Sequence, residues 1–314
     1  MRRSFKCGAS AGHARRPAAR WLACAAVAAL AAGLAACSSA SPAKSTQSPA
    51  GTSSSKTGTA AAAAVPRPAH TVIVMMENRG YGQVIGSSQA PYINGLARQG
   101  ALFTNSHAIS HPSEPNYLAL FSGSTHGVES DTCPVTFSSP NLATGLVAAG
   151  DTFTGYAEGL PSPDPTICID GEYARKHVPW MDFTNVPTSL SQPFTSFPTN
   201  FSSLPTVSWV VPNLCDDMHD CSVATGDTWL RTHLDSYVTW AKTHDSLLIV
   251  TFDEDEGTSV NQIPTIFVGQ QVRPGRYAEK ITHYSVLATI EAAYGLPRDG
   301  AAASAAPISD VWRS

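Results

Sequence analysis

Thr71-Val72-Ile73-Val74-Met75-Met76 is a nearly unbroken apolar run, and it stops abruptly on Glu77-Asn78-Arg79. A strand with one wet face would alternate; an unbroken run fits a strand covered on both faces, the habit of parallel sheets packed between helices. Leu247-Leu248-Ile249-Val250-Thr251-Phe252 repeats the pattern and stops on Asp253-Glu254-Asp255-Glu256-Gly257. In parallel α/β sheets, ligands gather beyond the carboxyl ends of the strands. Two such ends here deliver clustered carboxylates, with an Asn carbonyl beside the first. Oxygen donors of this kind suit a hard divalent cation such as Ca²⁺, Mg²⁺ or Mn²⁺. An acidic run is ordinarily a solvated turn, and only its place behind a buried strand favours a site.

Outward from these two strands, the pattern predicts further strands at Phe153–Ala157, Thr206–Val211 and Ile263–Val268. Helices are expected over Pro91–Arg98, from Ser113 to just before Gly123, and over Leu142–Ala149. Two more are expected over Asp227–Thr243, with Gly226-Asp227 as its start, and Ser285–Tyr294. The alternation predicts an α/β fold with a mostly parallel central sheet flanked by helices. Residues 158–205, rich in Pro, Ser and aromatics, read as a long irregular insertion that shapes a substrate pocket.

The chain has 314 residues, 20 Lys+Arg and 24 Asp+Glu. Six of the basic residues and none of the acidic ones fall in residues 1–36, so the rest carries about −10. That disfavours nucleic acid as a partner, because phosphate-backbone binding needs a basic face. Residues 1–36 read as a signal peptide, a basic region followed by an apolar stretch ending on Leu34-Ala35-Ala36-Cys37. Those last residues resemble a bacterial lipobox, which implies lipid-modified Cys37, the favoured reading; an ordinary signal peptide cut nearby or an uncleaved anchor is the alternative. Residues 37–65 read as a flexible Ser/Ala/Thr-rich tether, and residues 66–314 as one domain, expected to be monomeric. The expectation is an exported protein, lipid-anchored on the outer face of the cell membrane or secreted. Outside the leader four cysteines remain. Two disulfides are expected, with Cys133–Cys168 and Cys215–Cys221 favoured among three pairings.

Between the two strand ends lies His111-Pro112-Ser113-Glu114-Pro115-Asn116-Tyr117. Proline just inside a helix makes Ser113 the natural N-cap. A helix N-terminus attracts anions, and a serine there can also be a nucleophile if a metal lowers its pKa. This stretch occurs in order with Glu77-Asn78-Arg79, Ser122-Gly123-Ser124, Asp217-Met218-His219-Asp220, Phe252-Asp253-Glu254 and His283-Tyr284-Ser285. Together they resemble the phosphoesterase family of bacterial acid phosphatases and phospholipase C-type enzymes, in the alkaline-phosphatase-like superfamily. The resemblance runs from about His70 to Pro297.

The resemblance implies an alkaline-phosphatase-like fold and a hydrolase acting on phosphate esters. It implies Ser113 as nucleophile, forming a phosphoserine, and Asn116 as stabiliser of the phosphoryl oxygens. Glu77, Asn78, Ser113, Asp253 and Glu254 are the implied metal ligands. His111 and Asp217 lie near the phosphate, and His219 or His283 protonates the leaving alkoxide. Two-zinc relatives use more histidine and aspartate ligands, so one divalent ion is expected, Ca²⁺, Mg²⁺, Mn²⁺ or Zn²⁺. The implied activity is hydrolysis of phosphate monoesters. Alternatives are a phospholipase C-like phosphodiesterase, or a binding lipoprotein that keeps the fold without turnover. His126 is expected to be structural, and His177, His233 and His244 to lie on the surface. Asp131 and Asp255 are expected to cap loops, and Trp180, Trp209 and Trp240 to pack.

Overall fold

The computed structural model describes residues 64–160 and 167–313. The signal peptide, the tether and Cys37 lie outside the described residues. Among the described residues eight strands form one sheet. In chain order they are β1 (His70–Met76), β2 (Ala101–Phe103), β3 (Phe153–Ala157), β4 (Ser191–Pro193), β5 (Val207–Val211), β6 (Ser246–Phe252), β7 (Thr265–Gly269) and β8 (Gly275–Tyr277). Their order across the sheet is β8-β2-β7-β6-β1-β5-β3-β4. β6, β1, β5, β3 and β4 form a parallel block, and β7 runs against both its neighbours. The expected α/β architecture with a mostly parallel sheet is present.

β1 lies in the middle, paired along its whole length with β6. That explains the unbroken apolar run: Val72, Val74 and Met76 enter one buried cluster, Ile73 and Met75 the other. Five helices cover the two faces: α1 (Pro91–Gln99), α2 (Glu114–Ser122), α3 (Leu142–Ala148), α4 (Val223–Ala241) and α5 (His283–Tyr294). α1 and α4 close the Val72 face; α2, α3 and α5 close the Ile73 face. Each fully buried Val or Ile contributes about 1.5–3 kcal/mol, so both layers hold the sheet between them. Trp180 and Trp209 are buried at the core, as expected, and Trp240 is half-buried against the opposite face. Trp180 reaches the sheet only because residue 155 is glycine; a Cβ there would lie 2.1 Å from the indole.

Two helices begin earlier than the sequence reading places them. α4 begins at Val223, not Asp227, because Ser222 caps it by accepting from the Thr225 amide. Asp227 instead accepts from the Tyr92 and Ile93 amides at the start of α1, tying the two helices together. α5 takes in His283 two residues earlier than expected, with Thr282 as N-cap. The insertion is less irregular than its composition implies. It holds several one-turn 3₁₀ helices and supplies β4, one of the sheet's two edge strands. Cys133–Cys168 and Cys215–Cys221 are disulfide-bonded, the favoured pairing. Among the described residues no helix is long and apolar enough to cross a membrane.

Candidate active site

Three adjacent strands, β6, β1 and β5, aim their carboxyl ends at one place. The Glu77 amide donates to the Asp217 carbonyl at 2.8 Å, and the Asp253 amide to the Met76 carbonyl at 2.9 Å. The Asn78 amide, at a residue with φ of 49°, donates to Asp253 Oδ1 at 2.8 Å. Asp217 arrives on the loop after β5, closed by Cys215–Cys221, where it accepts from the His219 amide at 2.7 Å. Glu77, Asp217 and Asp253 are fully buried, and Glu254 nearly so.

Ser113 stands at the start of α2 but does not cap it. Its own backbone is helical and its side chain makes no cap bond. Its hydroxyl donates instead to Glu77 Oε2 at 3.0 Å and Glu254 Oε1 at 3.3 Å. Asn116 differs from expectation too. Its amide is wholly spent on the loop before the serine: Oδ1 accepts from Ile109 and Ser110, and Nδ2 donates to the carbonyls of Ser110 and Pro112. It shapes the loop that presents Ser113 and has no donor left for a phosphoryl oxygen.

The histidines separate by environment. His111 is one-third exposed, bonds Glu254 through Nδ1, and places Nε2 3.0 Å from the Thr258 carbonyl. Burial draws its pKa down, but the Thr258 carbonyl and the Glu254 carboxylate outweigh that and raise it. His283 is buried, with Nε2 at 2.7 Å from the Asp253 carbonyl, and burial lowers its pKa to about 4. A neutral ring whose Nε2 is bonded to a backbone carbonyl makes a poor proton donor, so His283 supports the Asp253 backbone, and its Nδ1 is buried without a partner. His219 is partly exposed and held through Nδ1 by Asp220 at 2.6 Å.

His177, expected on the surface, is 1 % exposed and lies inside the cluster. Nε2 is 3.2 Å from Glu77 Oε1 and Nδ1 is 3.3 Å from Asp217 Oδ2. The ring stacks on Tyr117 of α2 at 4.9 Å. It comes from the insertion, where the basic triplet Arg175-Lys176-His177 reads as a solvated turn. His233 and His244 are exposed as expected, while His126 bonds the Ser122 hydroxyl and stacks on Phe137. Asp255 caps its own loop through the amides of Gly257 and Thr258.

Burial raises the pKa of Glu77 well above the carboxylate range, and repulsion from Asp253 and Asp217 adds to it. Burial does the same for Asp217, lifts Asp253 to about 6, and with repulsion from Asp253 lifts Glu254 to about 7. Asp253 Oδ2 is buried without a hydrogen-bond partner, and Glu77 Oε1 and Asp217 Oδ2 face the His177 ring at close range without making a hydrogen bond to it. Orphaned buried acceptors on mutually repelling carboxylates are costly unless a cation faces them. The donor chemistry therefore fits a hard divalent ion. Among the described residues no three His, Cys, Asp or Glu side chains stand together as a metal-binding group, so the fit rests on the donor chemistry.

The insertion also forms a cavity of about 660 Å³, walled by Phe194, Phe197, Phe201, Glu158 and His233. It takes no wall from Ser113 or the carboxylate cluster.

The chain is similar to known proteins in sequence and in fold. The phosphoesterase family model matches residues 87–297. A phosphatidylinositol-3-phosphatase of Mycobacterium tuberculosis is 56% identical over 255 residues, 80% of this chain and 85% of that protein. An acid phosphatase of Aspergillus fumigatus is 32% identical over 256 residues, 72% of this chain but 55% of that longer protein. Among solved structures, a protein of the alkaline phosphatase superfamily from Vibrio parahaemolyticus superposes with a TM-score of 0.55 at 13% identity, covering 77% of this chain and 71% of its own. The chain is thus a member of the phosphoesterase family on an alkaline-phosphatase-like fold, a hydrolase of phosphoric esters.

Proposed function

We propose that the protein is a metal-dependent phosphomonoesterase that works through a phosphoserine on Ser113. One observation carries this reading: a buried serine hydroxyl at a helix start donates to two carboxylates, Glu77 and Glu254, inside a cluster of orphaned acceptors. Glu77, Asn78, Asp253 and Glu254 would hold one divalent cation. When bound, that ion supplies charge neutralisation, a lower pKa for the serine hydroxyl and polarisation of a phosphoryl oxygen.

The chain's own residues do the rest. The Ser113 proton already has acceptors in Glu77 and Glu254, so Oγ can bond phosphorus as the ester P–O bond breaks. The leaving alkoxide takes a proton from His219, the partly exposed histidine whose ring is steadied by Asp220. The same ring then accepts a proton from the water that attacks the phosphoserine, releasing inorganic phosphate and restoring the hydroxyl. His177 fixes Glu77 and Asp217 from the opposite side. Asn116 holds the preceding loop.

The similarity to a phosphatidylinositol-3-phosphatase supports a phosphorylated inositol head group as one substrate. Two disulfides fit an oxidising compartment, and a lipid on Cys37 would place the enzyme at a membrane. The test is hydrolysis of an aryl phosphate by the purified protein, with and without a chelator. Turnover that survives exhaustive chelation would refute the metal requirement.

A further inference from the structure

Lys176 is the middle residue of the one-turn helix Arg175–His177, and both its neighbours are fixed. Arg175 donates to Asp182 at 2.8 Å and to the carbonyls of Val135 and Met181. Its amide donates to the carbonyl of Cys168, whose side chain is bonded to Cys133. His177 is wedged between Glu77 and Asp217. Between these anchors, Lys176 is held over the start of α2. Its ammonium lies 2.6 Å from Asp131 Oδ2, and Asp131 Oδ1 accepts from the amide of Glu114 at 3.1 Å. Glu114 follows Ser113 in the chain. One carboxylate therefore spans the Lys176 ammonium and the backbone amide next to the nucleophilic serine.

Among the described residues of this neighbourhood, Lys176 is the cation with donors to spare. Arg79 spends its guanidinium on the carbonyls of Asn78 and Cys221, and Arg175 is spent as above. An ammonium has three donors, and Lys176 uses one, on Asp131. Its side chain is 17% exposed, so its field is weakly screened. Its charge favours the ionised forms of Glu77 and Asp217.

On the reading of Ser113 as nucleophile, we propose that Lys176 binds a non-bridging oxygen of the substrate phosphate, leaving Asp131 as it does so, and thereby sets a preference for monoesters over diesters. A monoester is close to doubly charged at neutral pH, whereas a diester carries one charge. A compact ammonium at the phosphate favours the dianion, and Asp131 occupies that place as a resident anion until substrate arrives.

The experiment measures kcat/KM for p-nitrophenyl phosphate and bis(p-nitrophenyl) phosphate, and inhibition by inorganic phosphate, in the full protein. Loss of a charge-assisted hydrogen bond predicts that Lys176→Met lowers monoester kcat/KM about tenfold or more, with diester kcat/KM changed by less than about threefold. Phosphate inhibition weakens in parallel, and Lys176→Arg recovers most of both. Equal losses on the two esters, an unchanged monoester rate, or a wild-type preference for the diester overturns the proposal. If Lys176→Met fails to fold, Asp131→Asn decides: tighter phosphate inhibition supports the exchange, and weaker inhibition overturns it. The nucleophile reading fails separately, through a Ser113→Ala protein that keeps the wild-type rate.

Discussion

Asp253→Asn should stabilise the metal-free protein while abolishing its turnover. Asp253 is wholly buried, and burial holds its carboxyl at about 6 against an ordinary 3.8. At about 1.4 kcal/mol per tenfold, ionising it in the fold costs roughly 3 kcal/mol at neutral pH. The sign follows from the raised pKa. Below about pH 4 the carboxyl is protonated folded and unfolded alike and carries no penalty; the penalty grows as pH rises and is complete above the folded value near 6. Asparagine keeps the shape, and its carbonyl can still accept from the Asn78 amide, now 2.8 Å from Oδ1. For a domain of this size, each kcal/mol moves Tm by about 2–4 °C, so the variant should melt roughly 6–12 °C higher near pH 8 and together with wild type near pH 4. The assay is thermal unfolding followed by circular dichroism across that range, with chelator throughout. Added divalent cation should then raise wild type by about 2.7 kcal/mol at a hundred times Kd and the variant by far less. A variant no more stable than wild type near pH 8, or a gap that ignores pH, refutes the reasoning.

His177→Ala should lower kcat by about 10–100-fold with the fold retained, because Glu77 and Asp217 lose the ring between them; an unchanged kcat in steady-state assays contradicts that role. Asn116→Ala removes all the loop bonds made by that amide and should cost about 2–4 kcal/mol in urea unfolding. Gly155→Ala should cost about 3 kcal/mol in the same assay, since the new methyl meets the Trp180 indole at 2.1 Å.

The sheet was legible because β1 and β6 are buried on both faces and so cannot alternate. For the same reason, their ends pointed to Glu77, Asn78, Asp253 and Glu254 without any knowledge of the fold. Ser113 was legible as a helix start but not as a side chain that refuses to cap. The two carboxylates that claim its hydroxyl come from 36 and 141 residues away, and no local rule contains them. The family resemblance implied Asn116 as a phosphate ligand, yet its place one turn after Ser113 puts its amide under the 109–112 loop. His177 was hidden for a different reason. An isolated histidine in a polar, proline-rich stretch ordinarily faces water, and its burial depends on the path the insertion takes from Cys168 back over α2. α4 was started late because Gly226-Asp227 imitates a cap, while the serine that caps it sits beside a disulfide cysteine.

The central claim is that Ser113 carries the phosphoryl group. Rapid acid quenching during turnover of an aryl phosphate, followed by mass spectrometry of the peptide containing Ser113, tests it most directly. The account predicts one phosphoryl group on Ser113 during turnover and none before substrate is added. Sustained turnover with Ser113 never phosphorylated would contradict it.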